Sequence, residues 1–132
     1  MHADKLKLKS SPCQIVQIET FLQDISKQFS LSEEVYGNIL ISLTEAVNNA
    51  IKHGNKNDKN KYVKINLKAK SDSLTFKISD EGEGFNPNNL PDPTAIDRLE
   101  QDGGRGVFIM RCLCDQLKYQ ENGRTVILTF KR

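Results

Sequence analysis

No apolar run in this 132-residue chain exceeds a few residues, Val126-Ile127-Leu128 being typical, so no segment reads as a bilayer span. The opening Met1-His2-Ala3-Asp4-Lys5 lacks the apolar core of a secretory signal, and a cytoplasmic location with no membrane partner is expected. An excess of either charge is also missing. The 19 Lys and Arg against 17 Asp and Glu leave a net charge of +2, which argues against a nucleic-acid partner, because such proteins carry a strong basic excess on one face. Cysteine is scarce and odd in number. Of the three, Cys112 and Cys114 stand one residue apart, which suits neither a Cys-x-x-Cys redox pair nor a zinc knuckle; buried free thiols are expected. There is no Walker A lysine-serine pair, and neither glycine cluster completes the dinucleotide fingerprint. What is present, 37% hydrophobic and 27% charged residues, describes a single domain over residues 1–132, large enough for a core without disulfides or a structural metal.

Periodicity supplies the elements. Leu6 and Leu8 alternate with Lys5, Lys7 and Lys9, as in a strand with one wet face. Ser11 and Pro12 suit the cap and first turn of a helix whose apolar stripe is Ile15, Ile18, Leu22, Ile25 and Phe29. Ser30 and Glu33 have capping-box spacing and open a second helix, running from about Ser32 to His53. Its core face reads Val35, Ile39, Leu43, Ala46, Val47 and Ala50, while Asn38, Ser42, Glu45, Asn49 and Lys52 line the other side. Gly54 suits the position just past the helix end.

Two strands follow, with inward sets Val63, Ile65, Leu67, Ala69 and Leu74, Phe76, Ile78. Asp80 is in phase with the second set and so is aimed toward the core side. The lysines of the first of these strands read as a solvated or protective face. From Asn86 to Gly103 periodicity vanishes, a length of loop that is uncommon without a function, with Asp92-Pro93 a candidate cap inside it. A stripe of Phe108, Ile109, Cys112 and Leu113 then predicts a helix to about Asp115. Leu117 to Gln120 and Arg124 to Lys131 predict a hairpin across an Asn122-Gly123 turn. This order fits an α+β two-layer sandwich, its sheet mixed but mostly antiparallel and covered by helices on one face.

Three constellations carry chemistry. Glu45 and Asn49 lie one helical turn apart, so a carboxylate and a carboxamide, both hard oxygen donors suited to Mg²⁺ or an ordered water, project the same way; taken alone, the pair also fits a solvated helix face. Asp80-Glu81-Gly82-Glu83-Gly84-Phe85 follows a strand directly. An inward aspartate is costly unless something donates to it: a purine amino group would, with Gly82 and Gly84 letting the backbone approach a flat ring, and so would the local amides of a plain glycine-rich turn. Gly103-Gly104-Arg105-Gly106 opens a helix, where bare amides and the helix dipole favour phosphate, though taken alone it also fits a flexible loop end. In sequence these make a nucleotide site.

Here the chain resembles the Bergerat-fold (GHKL) ATPases, the group shared by gyrase B, MutL, the large heat-shock chaperone and histidine kinases. Glu45-Ala46-Val47-Asn48-Asn49-Ala50 matches the N box, Asp80 to Phe85 the first glycine box and Gly104-Arg105-Gly106 the second. Within that group it is most similar to the anti-sigma factor serine/threonine-protein kinases of bacterial partner switching, through Leu43 to Asn55 with its His-Gly end and through Val107 to Asp115. The resemblance implies ATP and Mg²⁺ as cofactors, Glu45 as catalytic base or water positioner, and Asn49 as the Mg²⁺ ligand. It implies that Asp80 receives the adenine amino group over Gly82 and Gly84, while Gly104, Arg105, Gly106 and Val107 wrap the phosphates. Arg105 stands where the family has a small or neutral residue, and either adds a phosphate contact or points to solvent. The 86–103 loop is expected to order over the nucleotide. The implied partners are a STAS-type anti-sigma factor antagonist, a sigma factor or both, with a homodimer as the implied assembly. The implied reaction is phosphorylation of the antagonist; the alternative is a non-catalytic, ATP-binding regulator that sequesters its partner by contact alone.

Overall fold

The computed structural model describes residues 4–11, 15–82 and 106–132. Its first strand, β1 (Lys5–Lys9), buries Leu8 and leaves its lysines exposed. Helix α1 (Ile15–Phe29) follows, with Ile18, Phe21, Leu22 and Ile25 buried. Phe21 joins the expected stripe and Ile15 leaves it, being exposed at the helix start. Pro12 lies outside the described residues.

Helix α2 (Glu33–Asn49) begins two residues later than the capping-box spacing implies. Ser30 has a φ of 53°, in the left-handed region, and ends α1, with the Leu31 amide donating to the Ser26 carbonyl at 3.1 Å. Ser32 takes the cap instead. Its backbone is extended and its hydroxyl accepts from the Val35 amide at 3.2 Å, satisfying one of the helix's orphan donors. At the other end the helix does not run to His53 in α form. From Ala50 to Gly54 it widens into a π-turn, closed by the Asn55 amide donating to Ala50 O at 2.7 Å.

The strands β2 (Tyr62–Ala69) and β3 (Ser73–Ser79) alternate as their two-residue period requires, except that Ala69 is exposed and the inward set of β2 ends at Leu67. Helix α3 (Gly106–Leu113) is shorter than expected and turned differently. Met110 is its buried anchor, whereas Phe108 is 57% exposed and Cys112 is also exposed. Cys114 is half-buried, so neither described cysteine is the buried thiol the sequence suggests. The chain closes with β4 (Gln116–Gln120) and β5 (Thr125–Lys131). Their connection is a 3₁₀ turn over Glu121–Gly123, with Glu121 at φ 54° and Gly123 at φ 83°, in place of a two-residue Asn-Gly turn.

The five strands form one sheet in the order β1-β2-β3-β5-β4, and each neighbouring pair is antiparallel. The expected mixed sheet is thus wholly antiparallel among the described residues. One face supplies Leu8, Val63, Ile65, Phe76, Ile78 and Leu128 to a core shared with α1, α2 and α3. Phe76 and Phe130 meet edge-to-face there, with centroids 6.1 Å apart. The other face presents Lys5, Lys7, Lys64 and Lys68 to water, as expected for a solvated sheet. This is the α+β two-layer architecture implied by the Bergerat resemblance. None of the described helices is long and apolar enough to cross a membrane.

Candidate functional site

Asp80 sits one residue past β3. Its amide donates to the Arg124 carbonyl at 2.9 Å, extending the β3–β5 pairing to the very start of the turn. The carboxylate then folds over its own turn, Oδ1 accepting from the Gly82 amide at 2.8 Å. Burial pushes the Asp80 carboxyl above the ordinary range, because a half-buried carboxylate loses hydration. The Gly82 amide and the positive charges of Arg124 and Lys61 act against this rise without cancelling it.

The inward parity read from the sequence therefore holds, and the structure adds what the carboxylate faces. Gly54, at the end of the π-turn, lies against it so closely that a Cβ at Gly54 would overlap Asp80 Cγ and both carboxylate oxygens. A Cβ at Gly82 would in turn strike the Gly54 carbonyl. Gly54 has no positive φ, so it is not the left-handed helix stop that its position suggests. It is a glycine because the turn after β3, with the Asp80 carboxylate and Gly82, packs directly on its backbone.

Asn55, the next residue, is 1% exposed and was indistinguishable in sequence from the polar loop it begins. Its Nδ2 donates to Ser10 Oγ at 2.6 Å and to the Tyr62 carbonyl at 3.0 Å, while Oδ1 accepts from the Glu81 amide at 2.7 Å. The π-turn thus delivers Gly54 to the carboxylate and Asn55 to the turn that carries it.

Glu45 and Asn49 are both half-buried, on the last two turns of α2 before the π segment. Ser42, one turn earlier on that stripe, departs from expectation. It is fully buried, and its Oγ has no hydrogen-bond partner among the described residues. Helix α3 packs against α2, so this stripe is not simply a water-facing surface.

Gly82 is buried beside Asp80 as described. Gly84, Gly104 and Arg105, with the 86–103 loop and Asp92-Pro93, lie outside the described residues. Gly106 opens α3 and Val107 follows within it. Among the described residues no group of three or more His, Cys, Asp or Glu side chains gathers as a metal site.

A family model described as histidine kinase-like ATPase domain matches residues 8–130 of the chain. The chain is also similar to serine-protein kinase RsbW of Bacillus subtilis, at 27% identity over 132 residues, covering 95% of this chain and 82% of that protein. The protein of the same name from Bacillus licheniformis is 28% identical over 138 residues, with 96% and 85% covered. The one from Listeria monocytogenes (strain EGD-e) is 25% identical over 134 residues, with 94% and 83% covered.

Proposed function

We propose, from the premise that this chain belongs to the family of histidine kinase-like ATPase domains, that it is an ATP-dependent protein serine/threonine kinase acting on a small regulatory protein. The observation that carries the reading is the half-buried Asp80 carboxylate, packed between bare glycine backbones at Gly54 and Gly82. A desolvated acceptor beside a surface without side chains suits an aromatic ring that offers an amino group. Adenine offers one; guanine presents a carbonyl oxygen at the same ring position.

Each further role follows from placement on the motif. Glu45 accepts the proton of the attacking Ser or Thr hydroxyl as its oxygen bonds to the γ-phosphorus and the bond to the bridging oxygen breaks, releasing ADP. Asn49, one turn on, is the residue that would hold Mg²⁺, which when bound with the nucleotide neutralises phosphate charge. A single amide oxygen fits an ion that takes the rest of its shell from phosphates and water. By the same motif match, Gly84 would serve the base, and Gly104, Arg105, Gly106 and Val107 would supply main-chain donors to the phosphates.

The similarity to proteins named serine-protein kinase RsbW supports partner switching as the setting, with an anti-sigma factor antagonist of the STAS type as phosphoacceptor and a sigma factor as the alternate partner. The intact Glu45 favours catalysis over a purely sequestering regulator. Incubation with γ-labelled ATP and purified candidate antagonists tests this. Label is expected on a Ser or Thr of one partner, and is lost with Glu45→Ala although that variant still binds ATP. Tight ATP binding with no transfer to any partner it captures would favour the sequestering regulator.

A further inference from the structure

Asn55 closes the Leu43 to Asn55 stretch but has no role in the site as read from the motifs, yet it ties three separated chain segments together. Its bonds reach Ser10 just after β1, Tyr62 at the start of β2, and Glu81 in the turn after β3. The orientation of the carboxamide is not open to choice. A carbonyl oxygen such as that of Tyr62 only accepts, and an amide such as that of Glu81 only donates, so Nδ2 and Oδ1 can lie only one way. No other side chain of this size offers both functions at that reach. Aspartate has no donor, serine is too short, and glutamine is a methylene too long.

The position of these bonds matters more than their number. Asp80 is held on its N-terminal side by its amide bond to Arg124 O, and Glu81, immediately after it, is held by Asn55 Oδ1. The carboxylate therefore stands between two fixed backbone points. Asn55 also directly follows Gly54, whose backbone lies against that carboxylate. A shift in the Asn55–Glu81 bond would alter the packing of Gly54 on Asp80 directly. We infer that Asn55 is a positioning residue for base recognition, fixing the turn at Glu81 against Gly54 so that Asp80 meets the purine amino group in one geometry. This rests on the reading of Asp80 as the adenine acceptor.

The test measures ATP and GTP affinities by calorimetry for the parent, Asn55→Asp, Ser10→Ala and Asp80→Asn, with the melting temperature of each. Asn55→Asp keeps the acceptor for Glu81 but sets a carboxylate against the Tyr62 carbonyl. It is expected to weaken ATP roughly tenfold or more, the scale of one misplaced buried hydrogen bond, and to narrow the preference for ATP over GTP. A residue that merely rivets the fold would lower the melting temperature and leave the ATP-to-GTP ratio of the folded protein at the parental value, and that result overturns the inference. Ser10→Ala removes only one acceptor of Nδ2 and keeps the test decisive should Asn55→Asp not fold. It must narrow the same ratio to a smaller degree, and a parental ratio there overturns the inference equally. Asp80→Asn separates the two levels. If it retains full ATP affinity, the underlying reading of Asp80 fails. If it loses ATP while the Asn55 and Ser10 variants keep the parental ratio, only the positioning role fails.

Discussion

The backbone of Gly54 rests on the carboxylate of Asp80, 26 residues further along the chain, at a distance that leaves no room for a Cβ. This contact joins the end of α2 to the end of β3. It brings the helix that carries Glu45 and Asn49 to the turn that carries the half-buried acid. A methyl group anywhere in it must push one side away.

Gly54→Ala should therefore displace Asp80 rather than strain its own backbone, since Gly54 has no positive φ. Overpacking of this kind costs about 1–3 kcal/mol, and denaturant unfolding should register a loss in that range. Binding should suffer at least as much, an ATP affinity roughly tenfold or more below the parent, because the displaced group is the proposed acceptor. A variant that keeps parental affinity would separate this contact from the nucleotide site.

Asp80 makes a second prediction, about stability and pH. Burial holds its carboxyl above the ordinary value of 3.8, so the folded protein retains this proton to a higher pH than the unfolded chain. Protonation then favours folding. The group's contribution to stability falls as pH rises from 3.8 through its raised folded value, and stays low at neutrality. Asp80→Asn removes the penalty while its side-chain oxygen still accepts from Gly82. At pH 7 its melting temperature should equal or exceed the parent's, and that advantage should vanish in acid below the unfolded-state value. A lower melting temperature at pH 7 would show that the ionised acid stabilises the empty site.

Ser42 offers a stability gain by deletion. Its hydroxyl is buried without a partner among the described residues, a state that costs about 1–3 kcal/mol. Ser42→Ala keeps the volume nearly unchanged and should stabilise the protein by about 1 kcal/mol, or raise the melting temperature by roughly 4 °C. Destabilisation in a thermal scan would mean that the hydroxyl has a partner in solution.

Helix α3 is held by Met110, which is 1% exposed. Met110→Ala should cost about 2–5 kcal/mol in chemical unfolding. Phe108→Ser, two residues earlier on the exposed side, should change stability by no more than about 0.5 kcal/mol. Equal effects would contradict the orientation of this helix.

The sheet was legible because alternation has an unambiguous consequence. Once Val63, Ile65 and Leu67 share a face, Lys64 and Lys68 must share the other, and Asp80 inherits the inward parity of Leu74, Phe76 and Ile78. Helices α1 and α2 were legible through stripes long enough to average over single residues. In α3, eight residues with apolar types at several positions permit more than one inward face, and the stripe through Phe108 and Cys112 is as regular as the face that buries Met110. The π-turn left no composition signal, since Ala50-Ile51-Lys52-His53 continues an ordinary helical pattern. Gly54 has the sequence position of a helix stop, but glycine serves both uses, and only tertiary packing tells a close approach from a left-handed cap. Asn55 was hidden for a related reason: a buried carboxamide and a solvated one are the same letter, and it opens the polar run from Asn55 to Asn60.

The most direct measurement is calorimetric titration of the parent and Asp80→Asn with ATP and with GTP in the presence of Mg²⁺. The parent should bind ATP in preference to GTP, and Asp80→Asn should lose ATP binding while remaining folded. A folded Asp80→Asn protein that binds ATP as tightly as the parent would contradict the assignment of this acid to the base.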